Sequence, residues 1–467
     1  MSFLDSLINN LPEVKGPLQR RLSFKEKLTW TGIVLVFFFL LGIVPLYGLG
    51  ENSLEQFEFL SVILGASFGS LISLGIGPLV TASIVLQLLN GSGIMNFDLT
   101  TPEGKRRFQG MQKLFALFFI IFEASIYVLM GGLTPSRLLD PTQFRTMELV
   151  LIGQLIVGGI FIMFMDEIVS KWGFGSGISL FIAAGVSSQI VVRAFSPLTT
   201  AGTWAFGSSQ AAIGKVWVLF QSLANQNPIG AALALSTILA TIFIFLVVVY
   251  VQGMKVEIPL SFGRIRGHGI RWPLNFLYTS NIPVILIAAL LANIQLWAHL
   301  LENWGYPLLG TFSGPTPISG FVLWSSPQNL VELAITGTLT WNVIGYSLVY
   351  TSLMIGGAIL FGLFWVQTSG MDAKAQARNM IASGLQIPGF RRDERVLESV
   401  LKRYIFPLTV MGGAVVGILA ASADLLGTLS NGTSILLTVM IIYRLYEDIA
   451  NHHLMDMNPA LAKLFQK

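Results

Sequence analysis

The sequence predicts an all-α membrane protein that crosses the bilayer ten times. Of its 467 residues, 53% are hydrophobic and only 11% are charged, and the mean hydropathy is +0.71. Soluble domains carry about 25% charged residues, so this composition is that of an integral membrane protein. The apolar runs have the length of membrane-spanning helices, whereas the strands of an outer-membrane barrel are short and alternate apolar with polar residues.

The apolar runs fall into two sets of five, which indicates an internal repeat of the kind common in transporters and channels. A polar, amphipathic segment (1–28) precedes the first half (29–195), and a loop (196–231) joins it to the second half (232–449), which a tail (450–467) follows. We therefore expect two pseudo-symmetric, inverted halves, although no residue-level match between them is visible. The spans are predicted near residues 29–49, 77–91, 108–131, 147–170, 177–195, 232–252, 278–298, 342–366, 404–424 and 433–449.

The basic residues predict the orientation of the chain. An even number of spans puts both termini on one side of the membrane. The loops on that side hold all but four of the 28 basic residues, and the four exceptions are Arg137, Arg145, Arg193 and Lys215. Because cytoplasmic loops are enriched in lysine and arginine, we expect both termini in the cytoplasm.

One apolar run is interrupted. Its first part (57–68) would form a helix of about 18 Å, which is too short for a hydrocarbon core of about 30 Å. Gly75-Ile76-Gly77-Pro78 then break the run, because proline removes a backbone donor and glycine allows the chain to bend. Irregular backbone at membrane depth is tolerated only where it is buried in protein or lines a cavity. The interruption therefore indicates a cavity in the middle of the protein.

Ionisable side chains, the usual mark of pumps and intramembrane enzymes, are nearly missing from the predicted spans. Glu123 is the clearest exception, and we interpret it as a structural carboxyl paired to a polar neighbour; Asp166, Glu167 and Asp424 lie at span ends. The sequence has no HExxH motif and no pair of intramembrane aspartates. It has no cysteine, which excludes disulfides, Fe–S clusters and thiol chemistry. We expect no catalytic residue, no cofactor and no metal site.

Uncharged polar residues inside the spans form a second candidate site. Thr81 and Gln87 lie just beyond the interruption, Gln112 begins the third span, and Ser280-Asn281 lie in the seventh. An isolated glutamine or asparagine in a membrane helix usually bonds a neighbouring helix permanently, and the residues alone favour this interpretation. A cluster supplied by three helices would instead form a seam that can separate.

Two loops on the side of the termini are longer than a transporter needs. They run over 254–272 and 367–403, and both are basic. Such loops either lie on the membrane surface or dock an acidic partner such as ribosomal RNA. Charge alone favours the simpler explanation, which is positive-inside topology.

Several motifs, in order along the whole chain, resemble the SecY family. They are LGIGPLVTASIVLQLL, FQGMQKL, GFGSGISLFIAAGV, YTSNIPVILIAAL and IPGFRR. The form resembles the archaeal one, which is close to the eukaryotic translocon α subunit. SecY is the large subunit of a protein-conducting channel, so the resemblance implies ten helices around a central pore. Unfolded secretory chains would cross through this pore, and apolar segments would leave it sideways into lipid.

The resemblance implies roles for two sets of apolar residues. A plug (57–68) closes the resting channel from the outer side, and a ring of six aliphatic residues narrows the pore. An aliphatic constriction excludes ions by dewetting, yet it offers no fixed hydrogen bonds to a passing chain. The plug residues are Phe57, Phe59, Leu60, Ile63, Leu64 and Phe68. The pore-ring residues are Ile76, Val80, Ile178, Ile182, Ile285 and Leu437.

The resemblance also gives the polar residues a function. Thr81, Gln112 and Asn281 match a polar cluster at a lateral gate, which separates spans two and three from spans seven and eight. Polar contacts between membrane helices contribute about 0.6 kcal/mol each. Such a seam can open when the apolar helix of a signal sequence replaces it.

The long basic loops match a cytoplasmic docking surface. The residues concerned are Arg264, Arg266, Arg391 and Arg392. Bacterial relatives have Pro-Gly after the arginine, whereas Asp393 follows Arg392 here, which argues against a bacterial motor ATPase as the partner. The implied partners are a SecE-type (γ) subunit, a small β subunit, the ribosome with its nascent chain, signal sequences and membrane lipid, with no small-molecule substrate. The implied location is the plasma membrane.

A secondary transporter with a half-helix substrate site is the alternative from another class. It predicts coupling carboxylates near residues 75–78, and the sequence has none there. An intramembrane hydrolase is opposed by the missing catalytic pair. The favoured hypothesis is a passive channel, without catalytic residues, in which translation or another partner supplies the energy.

Overall fold

The structure is a computed structural model that describes most of the chain. The described residues are 10–17, 22–50, 69–91, 94–95, 97, 101–129, 133–136, 140–199, 203–205, 211–262, 269–279, 282–303, 305–313, 316–382, 385–386, 393–430 and 432–457. The predicted plug residues Phe57, Phe59, Leu60, Ile63, Leu64 and Phe68 lie outside them, as do Asn281, Arg264, Arg266, Arg391 and Arg392.

The described part of the chain is mainly helical, which confirms the predicted all-α membrane fold. Its helices are α1 Phe24–Ile43, α2 Gly77–Gly91, α3 Pro102–Leu129, α4 Pro141–Trp172, α5 Gly177–Phe195, α6 Lys215–Ala224, α7 Pro228–Gln252, α8 Ile282–Asn303, α9 Gly320–Trp324, α10 Leu330–Ile335, α11 Trp341–Thr368, α12 Ala373–Ala382, α13 Glu394–Leu425 and α14 Gly432–Met457. Eight of them are long and apolar enough to cross a membrane, and α2 and α14 complete the ten predicted spans.

The first helix lies closer to the N-terminus than the predicted span. A capping box begins it: the Ser23 hydroxyl accepts from the Glu26 backbone N–H, and the Glu26 carboxylate accepts from the Ser23 N–H. The helix ends before Pro45, which disfavours helical backbone in the residue that precedes it. Hydropathy placed this span near 29–49 because the apolar run continues past the proline.

The interruption before the second span is a turn rather than a bent helix. Residues 71–76 form turns, Gly75 has a φ of 54°, and α2 begins at Gly77. That φ lies in the left-handed region, which glycine adopts without steric cost. Pro78 occupies the first turn of α2, where a missing N–H has no helical partner to lose. The proline therefore starts the helix, and the glycine accounts for the break.

The helices converge on one apolar core. It draws buried residues from all ten spans, among them Phe38, Ile120, Ile182, Ile244 and Met354. Helix α2 packs against α3 on one side and against α8 and α11 on the other, while α5 packs against α14. The second span is thus a wall shared by both halves of the chain.

A small sheet, absent from the predictions, joins the two long basic loops. Its strands are β1 Lys255–Phe262, β2 Gly269–Asn275 and β5 Leu385–Gln386, while β3 Phe312–Ser313 and β4 Thr316–Pro317 pair with each other in a separate hairpin. Strand β1 pairs antiparallel with both β2 and β5. We call the end of the helix bundle that carries this sheet the sheet end. The opposite end of the bundle carries the shorter elements. Helix α6 lies there between α5 and α7, and the β3–β4 hairpin, α9 and α10 lie there between α8 and α11.

Tyr278 anchors the chain between β2 and α8. Its hydroxyl donates to the Met371 carbonyl at 2.7 Å, and its ring belongs to an apolar cluster beneath the sheet. Burial, and secondarily the Asp372 carboxylate, raise the pKa of Tyr278 to about 12. The phenol is therefore more acidic in the unfolded chain, and its contribution to stability is complete below about pH 10 and is lost as the pH rises through about 12.

Replacing Tyr278 by phenylalanine is expected to lower the free energy of unfolding by about 1 kcal/mol, because the Met371 carbonyl loses its buried donor. Thermal unfolding in detergent at neutral pH measures this change. Tyr250→Phe is the matched control, since Tyr250 is 74% exposed. Removal of its hydroxyl should change the free energy of unfolding by no more than about 0.5 kcal/mol. Equal unfolding temperatures for both variants would contradict the anchoring role.

Candidate functional site

A cavity of about 480 Å³ lies among five helices toward the sheet end. Its walls come from α2, α5, α8, α11 and α14. Val80, Ile178 and Ile285 are part of its apolar lining, so residues far apart in sequence meet there. The lining of this cavity begins at Val80 in α2 and does not include residues 75–78, the interruption of the second span.

The structure brings all six predicted pore-ring residues into one apolar cluster. Four of them are buried, with exposed fractions of 1% for Ile76 and 2% for Ile182, and with Val80 and Leu437 nearly as low. The other two, which are partly buried and pack against this cluster, are Ile178 and Ile285. Side chains from α5, α8, α14 and the start of α2 therefore belong to the same apolar core, to which all ten spans contribute. No ionisable group is among the six.

Local geometry sets where these side chains lie. Ile76 precedes the first residue of α2, and its carbonyl accepts from the Val80 N–H at 3.0 Å. Ile178 and Ile182 are four residues apart in α5, so they share one face of that helix. The predicted ring residues thus come as a pair from α5, as a pair from the start of α2, and as single residues from α8 and α14.

The structure gives Thr81 and Gln112 different partners. The Thr81 hydroxyl donates to the Glu123 carboxylate at 3.1 Å, and the Gln112 amide donates to the Ser83 hydroxyl at 2.5 Å. Both bonds join α2 to α3, and within the described residues Thr81 and Gln112 do not bond each other. The bond from Thr81 agrees with the interpretation of Glu123 as a structural carboxyl that is paired to a polar neighbour. The polar bonds therefore hold α2 and α3 together as one unit.

Sequence reasoning missed part of the cavity wall. Trp365 of α11 and Arg444 and Asp448 of α14 line it, and Gln87 adds an amide. Arg444 and Asp448 are four residues apart, which puts both on one face of a helix that is otherwise apolar at its start. That spacing is the signal that could have found them. The tryptophan gives no such signal, because the sequence of α11 is apolar on all sides.

Ion pairs fasten the N-terminal segment to the sheet end. The Lys171 ammonium, near the end of α4, lies 2.6 Å from the Glu13 carboxylate and 2.9 Å from that of Glu167. The Glu167 carboxylate also pairs with Lys113 of α3 at 2.8 Å. The Trp172 indole donates to the Lys15 carbonyl. Part of the predicted amphipathic segment (1–28) is thus held against α4, while its residues 24–28 belong to α1.

The described residues contain no group of three or more His, Asp or Glu side chains that could hold a metal ion. The carboxylates near the core have other partners: Glu123 accepts from Thr81, Asp166 from a backbone N–H, and Asp424 from Tyr350. The site therefore consists of apolar walls, a few hydrogen bonds and a cavity that a chain segment could enter.

Comparison with protein families gives two matches. The SecY family matches residues 70–446. A family described as the plug domain of Sec61p matches residues 36–69, a stretch that contains the predicted plug (57–68). Together the two matches are contiguous and cover all of the chain between α1 and α14.

Similar proteins agree over the full length. Protein translocase subunit SecY of Methanothermobacter thermautotrophicus is 47% identical over 462 residues, which cover 98% of this chain and 97% of the relative. A solved structure described as a protein-conducting channel has a TM-score of 0.83 and 40% identity, and the match covers 99% of this chain and 100% of that one. Canine Sec61, solved in a ribosome-channel complex from the endoplasmic reticulum, has a TM-score of 0.81, 39% identity and the same coverage.

Proposed function

The chain belongs to the SecY family, and from this premise we infer that it is a passive protein-conducting channel. It translocates unfolded secretory polypeptides across the membrane and releases transmembrane segments laterally into the bilayer. It is a channel and not an enzyme. The observation that carries the mechanism is the lining of the cavity, where Val80, Ile178 and Ile285 bring aliphatic side chains of three helices together.

We propose that the six clustered aliphatic residues form the pore ring. An aliphatic constriction of this size has no group that can replace the hydration shell of an ion, so ions are excluded by dewetting. A polypeptide can pass because aliphatic side chains separate without breaking hydrogen bonds. The cavity on one side, lined by Val80, Ile178 and Ile285, would receive the chain before it meets the ring.

The lateral gate is proposed to open between α2 and its neighbours α8 and α11. Thr81 and Gln112 both bond within the α2–α3 pair, so these two helices would move as one body. The contact of α2 with α8 and α11 would then be the line of separation. Asn281 belongs to this gate by the resemblance alone.

A docking surface is proposed at the sheet end, which would face the cytoplasm together with both termini. Residues 263–268 connect β1 to β2 and carry Arg264 and Arg266, and residues 387–392 follow β5 and carry Arg391 and Arg392. Because β1 pairs with both β2 and β5, the two basic loops leave one sheet. Basic loops that leave a common sheet suit a phosphate-rich partner such as ribosomal RNA. The canine Sec61 structure, named as a ribosome-channel complex, supports this proposal.

Three further assignments complete the proposal. Segment 57–68 serves as the plug, which the match of residues 36–69 to a plug domain supports. The division into halves at 29–195 and 232–449 follows from the five helices in each. The partners are a SecE-type (γ) subunit, a small β subunit, the ribosome with its nascent chain, signal sequences and lipid of the plasma membrane, as the family resemblance implies.

Cross-linking of a stalled nascent chain tests the proposed function. The natural chain has no cysteine, so a single cysteine introduced at Ile182 or at Thr81 is the only thiol available in this subunit. We expect adducts at Ile182 with a chain stalled in the pore, and at Thr81 with a signal sequence held in the gate. Val191→Cys is the control, because Val191 lies on α5 like Ile182 but is 57% exposed on the outside of the protein. A transporter would give no adducts, and equal adducts at all three positions would also refute the channel path.

A further inference from the structure

Asp166 caps a helix to which it does not belong. It lies near the end of α4, and its carboxylate accepts from two N–H groups in the first turn of α5: that of Ile178, which lies 2.9 Å from Oδ1, and that of Gly177. Ser176, the residue in the N-cap position of α5, makes no side-chain cap bond. The first N–H groups of a helix have no helical acceptor, so the capping oxygen decides whether that turn stays closed.

Asp424 makes the corresponding bonds in the second half. It lies near the end of α13, and its Oδ1 accepts from the Gly432 N–H, the first of α14, at 2.6 Å. Its Oδ2 accepts from the Thr433 hydroxyl at 2.8 Å and from the Tyr350 hydroxyl at 2.7 Å. The same carboxylate therefore ties the start of α14 to α13 and to α11.

Close backbone approach accompanies each cap. A Cβ atom added to Gly177 would lie 2.5 Å from the Asp166 Cα, and one added to Gly432 would lie 2.2 Å from the Asp424 backbone nitrogen. In both cases a glycine begins the second helix and lets it touch the helix that supplies the carboxylate. One cap lies at the sheet end and the other at the opposite end, as expected of two inverted halves. This is a residue-level match between the halves that the sequence alone did not reveal.

Both capped helices, α5 and α14, carry proposed ring residues. Asp166 bonds the backbone of Ile178 itself, and Ile182 follows one turn later in α5. Leu437 lies about one and a half turns into α14. The remaining ring residues, Ile76, Val80 and Ile285, have no such cap among the described contacts of these two carboxylates.

We propose that Asp166 and Asp424 are positioning residues of the pore constriction, which hold Ile178, Ile182 and Leu437 in the ring by closing the first turns of α5 and α14. This inference rests on the proposed channel function. Without its acceptor, the first turn of α5 can unwind, and Ile178 then leaves the level of the ring. The loss of one helix cap typically shifts such a local equilibrium about tenfold.

The test combines resting ion conductance with thiol accessibility. Asp166→Ala and Asp424→Ala are expected to raise the bilayer conductance of the channel without a nascent chain about tenfold. In an Ile182→Cys background, Asp166→Ala should raise the rate of modification by a membrane-impermeant maleimide by a similar factor, because Ile182 is otherwise 2% exposed. Asp166→Asn should restore both values, since the amide oxygen in the place of Oδ1 still accepts from the Ile178 N–H.

Glu167→Gln is the matched control, because Glu167 is the adjacent carboxylate of α4 but bonds Lys113 and Lys171 instead of α5. It should leave conductance and modification unchanged. If Asp166→Ala does not fold, Asp166→Glu, which moves the acceptor by one methylene, takes its place with the same expected direction.

Unchanged conductance and accessibility in a folded Asp166 variant would overturn the inference, and so would an equal rise with Glu167→Gln. Failure of the channel function itself looks different. Replacing Ile76, Val80 and Ile285 by serine must make the same preparation leak if the ring exists. If that triple variant leaks and the aspartate variants do not, only the positioning role is wrong. If neither leaks, the ring assignment is wrong.

Discussion

Replacing Ile76, Val80 and Ile285 together by serine is expected to make the resting channel leak ions. These three residues come from both halves of the chain and lie in the same apolar cluster, two of them on the cavity wall. Serine shortens each side chain and adds a hydroxyl that binds water, so the constriction becomes wider and wetted. Dewetting then no longer excludes ions. Conductance in a planar bilayer, measured without a nascent chain, reports the change.

The matched control replaces three exposed aliphatic residues of the spans by serine. Leu88 of α2 is 40% exposed, Leu290 of α8 is 42% exposed, and Val191 of α5 is 57% exposed. These changes remove as much apolar side chain from the spans without touching the cluster, so the resting conductance should stay at the level of the unmodified protein. Conductance that remains at this level in the Ile76, Val80 and Ile285 variant would show that the ring is assigned to the wrong residues.

The helices could be predicted from the sequence because lipid leaves so few alternatives. Backbone groups in the hydrocarbon core must be bonded within the protein, and a chain of apolar runs about 20 residues long does this as helices. Hydropathy therefore found all ten spans. Where the bounds differ, local chemistry decides: Pro45 ends α1 early, while α13 begins at Glu394, ten residues before the predicted span, because a polar helical turn costs nothing outside lipid.

The sheet could not be predicted because its pairing is long-range. Strand β5 has only two residues, and its partner β1 lies more than a hundred residues earlier in the chain. A two-residue strand carries no alternation that a sequence could show. The same holds for Asp166, whose spacing from Gly177 indicates a cap only once α4 and α5 are known to meet.

The site could be predicted only in part from the residues themselves. The interruption near Gly75 indicated a cavity, but residues 75–78 are buried in protein, and the cavity lining in α2 begins at Val80. The six ring residues, in contrast, were singled out by the resemblance, because an aliphatic side chain in a membrane helix has no property that separates a pore wall from ordinary packing. For Thr81 and Gln112, the interpretation from the residues alone, a bond to a neighbouring helix, describes their contacts in the structure.

Gly158 of α4 lies where the turn before α2 presses against the bundle. A Cβ atom added there would lie 1.8 Å from the Leu71 carbonyl oxygen and 2.8 Å from the Leu71 carbonyl carbon. Neither atom belongs to a flexible side chain, and the residues around Leu71 (Ser70, Ile72, Ser73 and Leu74) are buried, so the turn cannot move aside cheaply. The α4 helix and the turn that leads to Ile76 therefore depend on the absence of a side chain at this position.

Gly158→Ala is thus expected to destabilise the protein by about 1–3 kcal/mol or more, although alanine favours the helix intrinsically. Gly153→Ala is the matched control: Gly153 lies in the same helix, has nothing within 4 Å of its added Cβ, and is exposed. The control should keep or slightly raise the thermal unfolding temperature in detergent, because both substitutions gain the same helix propensity. The difference between the two variants isolates the contact with Leu71. Equal unfolding temperatures would mean that the turn moves aside without loss of stability. The close fit of residues 70–76 against α4 would then not be what positions Ile76 in the proposed ring.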